Sequence, residues 1–224
     1  MQAFGDDTAV RIRNVAGPSS PLVAASRRLG WEVRQRTSVV TAAADEAIAF
    51  DDSAIFDSPL VYWRGDAAFE PLSESEVLGL RRFVEFGGFI MVDDASDGAF
   101  TRSVERALRR ALPNNGVEAI ASSHVIYRSF YLVDRPLGRR RGSGALRGIE
   151  IGDRLAVVIS NHDLGGAWAR DNLGNWLNSP TPGGEAQREQ AIRLGVNLVM
   201  YALCLDYKDD QVHAPYLMRR RGPT

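Results

Sequence analysis

The stretch from Leu60 to Asp94 constrains the fold of this chain more than any other. It opens on an apolar run, Leu60-Val61-Tyr62-Trp63-Arg64-Gly65, and passes through a helical segment from Ser73 to Phe86. It returns as Gly87-Gly88-Phe89-Ile90-Met91-Val92-Asp93-Asp94. Ser73 with Glu76 three residues later makes a capping box, in which each side chain satisfies a backbone donor of the other residue. Val77, Leu80 and Val84 follow at helical spacing as a core-facing stripe, and Phe83 widens it. Gly87-Gly88 closes the helix in a left-handed cap. Phe89 to Val92 is apolar on both faces, the mark of a parallel strand sandwiched between helices. The unit is therefore βαβ. It delivers two carboxylates to a strand terminus, where open α/β sheets place their ligands.

The rest of the chain fits around this unit as one α/β domain, residues 1–224, with 1–7 and 208–224 as peripheral tails. Residues 8–15 alternate as a first strand, and Gly17 to Pro21 makes a turn. Ser20 as N-cap and Pro21 open a helix to about Leu29, closed by Gly30. A short strand is expected around Ser38-Val39-Val40, and a single helical turn from Asp51-Asp52-Ser53. A helix fits Phe100 to Leu112, stopped by Pro113-Asn114-Asn115-Gly116. Pro136 to Ser143 reads as an exposed, mobile basic loop. Two strands about a Gly152-Asp153 turn make a hairpin, Asn161 to Gly166 leaves it as a loop, and Glu185 to Leu205 forms a closing helix.

Net charge is −1, so no global field draws the chain to nucleic acid or to an anionic membrane. The single cysteine, Cys204, excludes an internal disulfide and a thiolate metal cluster. Among Ala202, Leu203 and Leu205 it reads as a small core filler. No run reaches the roughly 18 apolar residues of a transmembrane helix. Met1 to Asp7 carries neither a basic nor an apolar signal region. Two placements fit: the cytoplasm, or the periplasm or cell envelope for a mature domain whose signal peptide was removed.

Three stretches carry a resemblance. They are Tyr62 to Gly65 with Gly87 to Asp94, then Ala156-Val157-Val158-Ile159-Ser160-Asn161-His162-Asp163-Leu164-Gly165-Gly166-Ala167-Trp168, then Gly195 to Leu203. In this order they resemble a family of bacterial proteins catalogued as a domain of unknown function, within the class I glutamine amidotransferase-like superfamily. The likeness runs from about Asp52 to Tyr207. It implies a three-layer flavodoxin-like domain, with a mostly parallel central sheet and helices on both faces. The superfamily nucleophile is a cysteine on a Gly-x-Cys-x-Gly elbow after a strand, served by a downstream His-Glu pair. The corresponding strand end here, Val92-Asp93-Asp94-Ala95, has no cysteine, so glutaminase chemistry is not inherited.

The site candidates sit at strand ends. Asp93 and Asp94, as strand neighbours, point to opposite faces. One of them serves as ligand group, metal anchor or general base, or else Asp94 caps the following helix and shapes the turn through Gly98. Asn161, His162 and Asp163 end a second strand, where they either converge on Asp94 for acid–base or divalent-cation chemistry or form an Asx turn. Trp168 folds over that loop as packing or as a cleft wall. Arg64, beside Gly65, suits an anionic ligand or pairs with Asp66 or Asp93. His124, Tyr127 and Arg128 read as local packing, and His213 as surface. Arg102, Arg106 and Arg110 share a helix face and, with Arg139-Arg140-Arg141, form a basic patch or an ordinary solvated face. No reading motif accompanies them, so nucleic acid is not an expected partner.

Two functions follow as expectations. The first is a non-catalytic module binding an unidentified protein or small molecule in a bacterial envelope-associated system. The alternative is a hydrolase or carbohydrate-active enzyme using Asp94 with His162 or Asp163, with or without a divalent cation; no other cofactor is implied. A purely structural subunit would need a large exposed apolar patch.

Overall fold

The structure is a computed structural model describing residues 9–15, 22–42, 47–142 and 144–219. Its strands are β1 (Ile12–Asn14), β2 (Leu60–Gly65), β3 (Phe89–Asp94), β4 (Glu118–Ala119), β5 (Arg147–Ile151) and β6 (Arg154–Ser160). Its helices are α1 (Leu22–Arg36), α2 (Glu74–Glu85), α3 (Ala99–Ala111), α4 (Leu164–Trp168) and α5 (Gly184–Arg219). The strands make one mixed sheet in the order β1-β2-β3-β6-β5-β4. The first four run parallel, and the β5–β6 hairpin with β4 adds an antiparallel flank.

The period of two along each strand divides the core. Tyr62, Met91 and Val158 pack with α1, α4 and α5, while Trp63, Val92 and Ile159 pack with α2 and α3. Helices therefore cover both faces of the central strands. This is why β2 and β3 are buried along their whole length. The expected capping box is present: the Glu76 amide donates to Ser73 Oγ at 3.2 Å, and the Ser73 amide to Glu76 Oε2 at 2.8 Å. The chain leaves α2 through Gly87 at φ 101°.

Five expectations need correction. α1 does not stop at Gly30 but continues to Arg36. Ala25, Leu29 and Val33 extend its buried stripe, and Glu32 pairs with Arg28 and Arg36 one turn to either side. The strand at Ser38–Val40 is reduced to a single parallel bridge between Val10 and Thr41. The loop after β6 contains α4, because the Asp163 carboxylate caps the Gly166 amide at 3.0 Å. α5 does not end at Leu205 but runs on to Arg219, its backbone hydrogen bonds closing within the segment. Cys204, expected as a small core filler, is exposed. The expected Ser20 cap and Pro21 start lie outside the described residues.

Candidate functional site

β2, β3 and β6 end side by side, with Arg64 opposite Asp93, Gly65 opposite Asp94, and Asp93 opposite Ser160. The pleat sends Asp93 toward α4 and Asp94 toward α3. On the α4 side, Asp93 Oδ1 accepts the Leu164 amide at 2.7 Å. Its Oδ2 accepts the Gly165 amide and the Tyr62 hydroxyl, each at 2.7 Å, with Arg64 Nε at 3.4 Å. Arg64 Nη2 donates to Asp163 Oδ1 at 2.7 Å, and Arg139 donates to Oδ2 of the same carboxylate. Asp93 and Asp163 are fully buried, and Arg64 is 6% exposed. Burial and the neighbouring Asp163 charge push Asp93 up to about 6, against the pull of Arg64, the Gly165 amide and Tyr62. Burial and Asp93 together push the Tyr62 hydroxyl up, so it stays protonated and donates.

On the α3 side, Asp94 closes the turn and caps the helix. Its Oδ1 accepts the Ser96 amide at 2.5 Å and the Ser96 hydroxyl at 2.6 Å; its Oδ2 accepts the Thr101 amide at 2.9 Å. Burial pulls its pKa upward, but these bonds outweigh it and hold the carboxyl below the usual range. The Thr101 hydroxyl donates to Asn161 Oδ1 at 2.8 Å, which brings Asn161 to the same face. The N-cap position itself is Gly98, which offers no side chain, so Asp94 supplies the anion that the helix terminus favours.

His162 faces neither carboxylate. It is 2% exposed, and its Nδ1 accepts the Gly142 amide at 3.0 Å, which puts the ring proton on Nε2. Burial holds its pKa below the ordinary value, opposed by a backbone bond with Gly144. The loop expected to be exposed and mobile is instead a strap across the strand ends. Its Arg139 and Arg140 amides donate to the carbonyls of Asp163 at 2.9 Å and His162 at 3.1 Å. Gln187 holds it from α5, donating to the Gly138 carbonyl at 2.7 Å. A Cβ at Gly138 would stand 2.1 Å from the His162 carbonyl oxygen, so only glycine allows this approach. Two of its cations meet acids, Arg139 with Asp163 and Arg140 with Asp97, while Arg141 stays exposed.

A family model described as "Domain of unknown function (DUF4159)" matches residues 12–203. The chain belongs to this family. No curated protein matches it. The DUF4159 span takes in all six strands, the strap and the whole strand-end network.

Within this DUF4159 domain, Arg64, Asp93 and Asp163 form one cluster, and Asp94 with Asn161 forms another. Asp94 shares no hydrogen bond with His162 or Asp163 among the described residues. Trp168 lies in the core, its indole N–H donating to the Ala25 carbonyl at 3.1 Å. Gly65 makes room for Phe100, whose ring stands 2.3 Å from where a Cβ would be. His124 caps a short 3-10 turn by accepting the Ile126 amide at 3.2 Å. The α3 arginines disperse: Arg106 donates to Ser103, and Arg110 to the Leu72 carbonyl and Glu74. Among the described residues no group of three His, Cys, Asp or Glu is placed to hold a metal ion. No helix among them is long and apolar enough to cross a membrane. Tyr62 and Arg139 are the members of the network that sequence reasoning missed. The signal for Arg139 was its place between two glycines of a loop rich in cations.

Proposed function

We propose that this DUF4159 domain is a non-catalytic ligand- or partner-binding module. Its fold is read as flavodoxin-like, within the glutamine amidotransferase-like superfamily, with the thiol nucleophile lost. The envelope setting follows from the sequence resemblance. One observation supports the reading most: the three candidate carboxylates, Asp93, Asp94 and Asp163, are buried and already engaged by protein donors. A general acid or base must reach the proton that it moves. Asp93 is held by two amides, a hydroxyl and a guanidinium. Asp163 is held by two guanidiniums and an amide, and Asp94 by Ser96 and Thr101.

The test is thermal unfolding of wild type and Asp94→Asn with divalent cations, a chelator, sugars and nucleotides. A ligand bound only by the folded state adds about 2.7 kcal/mol at a hundredfold excess over its Kd. The binding-module reading expects Asp94→Asn to melt lower and to leave every ligand shift unchanged. A shift present in wild type and abolished in Asp94→Asn overturns it. That outcome supports the hydrolase alternative, with Asp94 acting beside His162 or Asp163.

A further inference from the structure

We propose that the face built by α1, the first half of α5 and the loop around Tyr131 docks an acidic protein segment with apolar anchors; this rests on the binding-module reading. Trp31 is 41% exposed on α1, with the Arg28 guanidinium 3.9 Å above its ring. The same guanidinium lies 5.1 Å from the Trp176 ring, which also stacks against Arg170 at 3.7 Å and Arg188 at 4.1 Å. Buried Glu32 links Arg28 to Arg36, and Arg36 makes a two-pronged pair with Glu189 at 2.8 Å. Arg36 and Arg193 in turn approach the Tyr131 ring, at 6.0 and 5.3 Å. Beside it stand Phe130, 44% exposed, and Leu132, 80% exposed. These contacts run without a break from Trp176 to Phe130, with Leu132 next to Tyr131 in the chain.

Tryptophan, tyrosine and arginine are the residues that carry most binding energy at protein interfaces. Here the arginines are already held in place by stacking and ion pairing, so little side-chain freedom remains to be lost on docking. Exposed Arg27 and Arg34 flank Trp31 at one turn before and after, and the acids Glu32 and Glu189 are already paired. The surplus charge is positive, which calls for an acidic partner. It also opposes a second copy of the same face. A nucleic acid strand would need unengaged cations along its phosphates, whereas these guanidiniums sit over rings and among glutamates.

The experiment uses the whole chain and a fluorescent synthetic 20-residue peptide of Glu, Asp, Leu and Phe, read by anisotropy. The same peptide with Gln and Asn in place of the acids is the control. Binding is expected for the acidic peptide, weakened at least tenfold by 0.5 M salt. The double variant Trp31→Ala/Leu132→Ala is expected to weaken it at least tenfold with an unchanged melting temperature. No binding, equal binding of the neutral peptide, or indifference to the double variant overturns the proposal. So does preferred binding of a labelled oligothymidine, or a wild-type dimer that Trp31→Glu separates. Failure here, with no Asp94-dependent ligand shift, removes this face and leaves the binding-module reading standing.

Discussion

At the end of β3, two neighbouring carboxyl groups are moved in opposite directions because the pleat puts them in different surroundings. Asp93 has a folded-state pKa raised to about 6, above the ordinary value near 4. Between those values the folded protein binds more protons than the unfolded chain, so this group's contribution to stability falls as pH rises. Asp93→Asn is expected to cost about 1–3 kcal/mol at pH 4, from mispaired buried donors, and less at pH 6. Asp94 is lowered, so its contribution is present above about pH 4 and lost as pH falls through its folded value. Asp94→Asn should cost about 1–2 kcal/mol near neutrality and less in acid. Urea unfolding of both variants from pH 3 to 7 checks this, and costs that run parallel with pH would refute it. That the two side chains part company was legible from the strand period. The Asp94 cap on the following helix and an Arg64–Asp93 pair were also among the readings of the sequence; the Tyr62 and Arg139 partners were not, because they are distant in sequence from the carboxylates they hold.

Among the elements, those specified by near neighbours were readable. The Ser73–Glu76 box, the Gly152 turn and the 3-10 turn capped by Asp52 each close within a few residues. α1 was cut short in the reading because Gly30 alone resembles a stop, while the buried Leu29–Val33 stripe that carries the helix onward depends on packing against α4 and α5. The strap escapes a local reading for the same reason: its tethers run to His162, Asp163, Thr181, Gln187 and Asp97, all distant in sequence. Gly138→Ala should loosen it. Hydrogen exchange at the Arg139 and Arg140 amides is expected to quicken at least tenfold, and unchanged exchange would refute the close fit. His162 adds a pH dependence. Its lowered pKa means that it must stay neutral to accept the Gly142 amide, so stability is lost as pH falls below about 6.5. Exchange at Gly142, corrected for intrinsic rate, should therefore rise across that window.

For the molecule as a whole, the α/β class followed from one βαβ unit and strands apolar on both faces. The strand order, with β6 beside β3 and the hairpin turned antiparallel, rests on long-range pairing that no local pattern encodes. We propose that the two cores unfold as one cooperative unit. Leu29→Ala on the α1 side and Leu80→Ala on the α2 side should each cost about 2–5 kcal/mol. Their costs should add within about 0.5 kcal/mol in a single denaturant transition, and two separate transitions would refute one unit. The sheet's margins bear on how such molecules behave when crowded. β4 is two residues long and carries Glu118, while the far side of β1 is flanked by bridges from Val10 to Thr41 and from Val15 to Ile48. Among the described residues neither margin presents a long bare backbone for a neighbour to extend. Concentrated solutions should therefore resist growth into cross-β fibres, and any association should run through side chains of the helical layers.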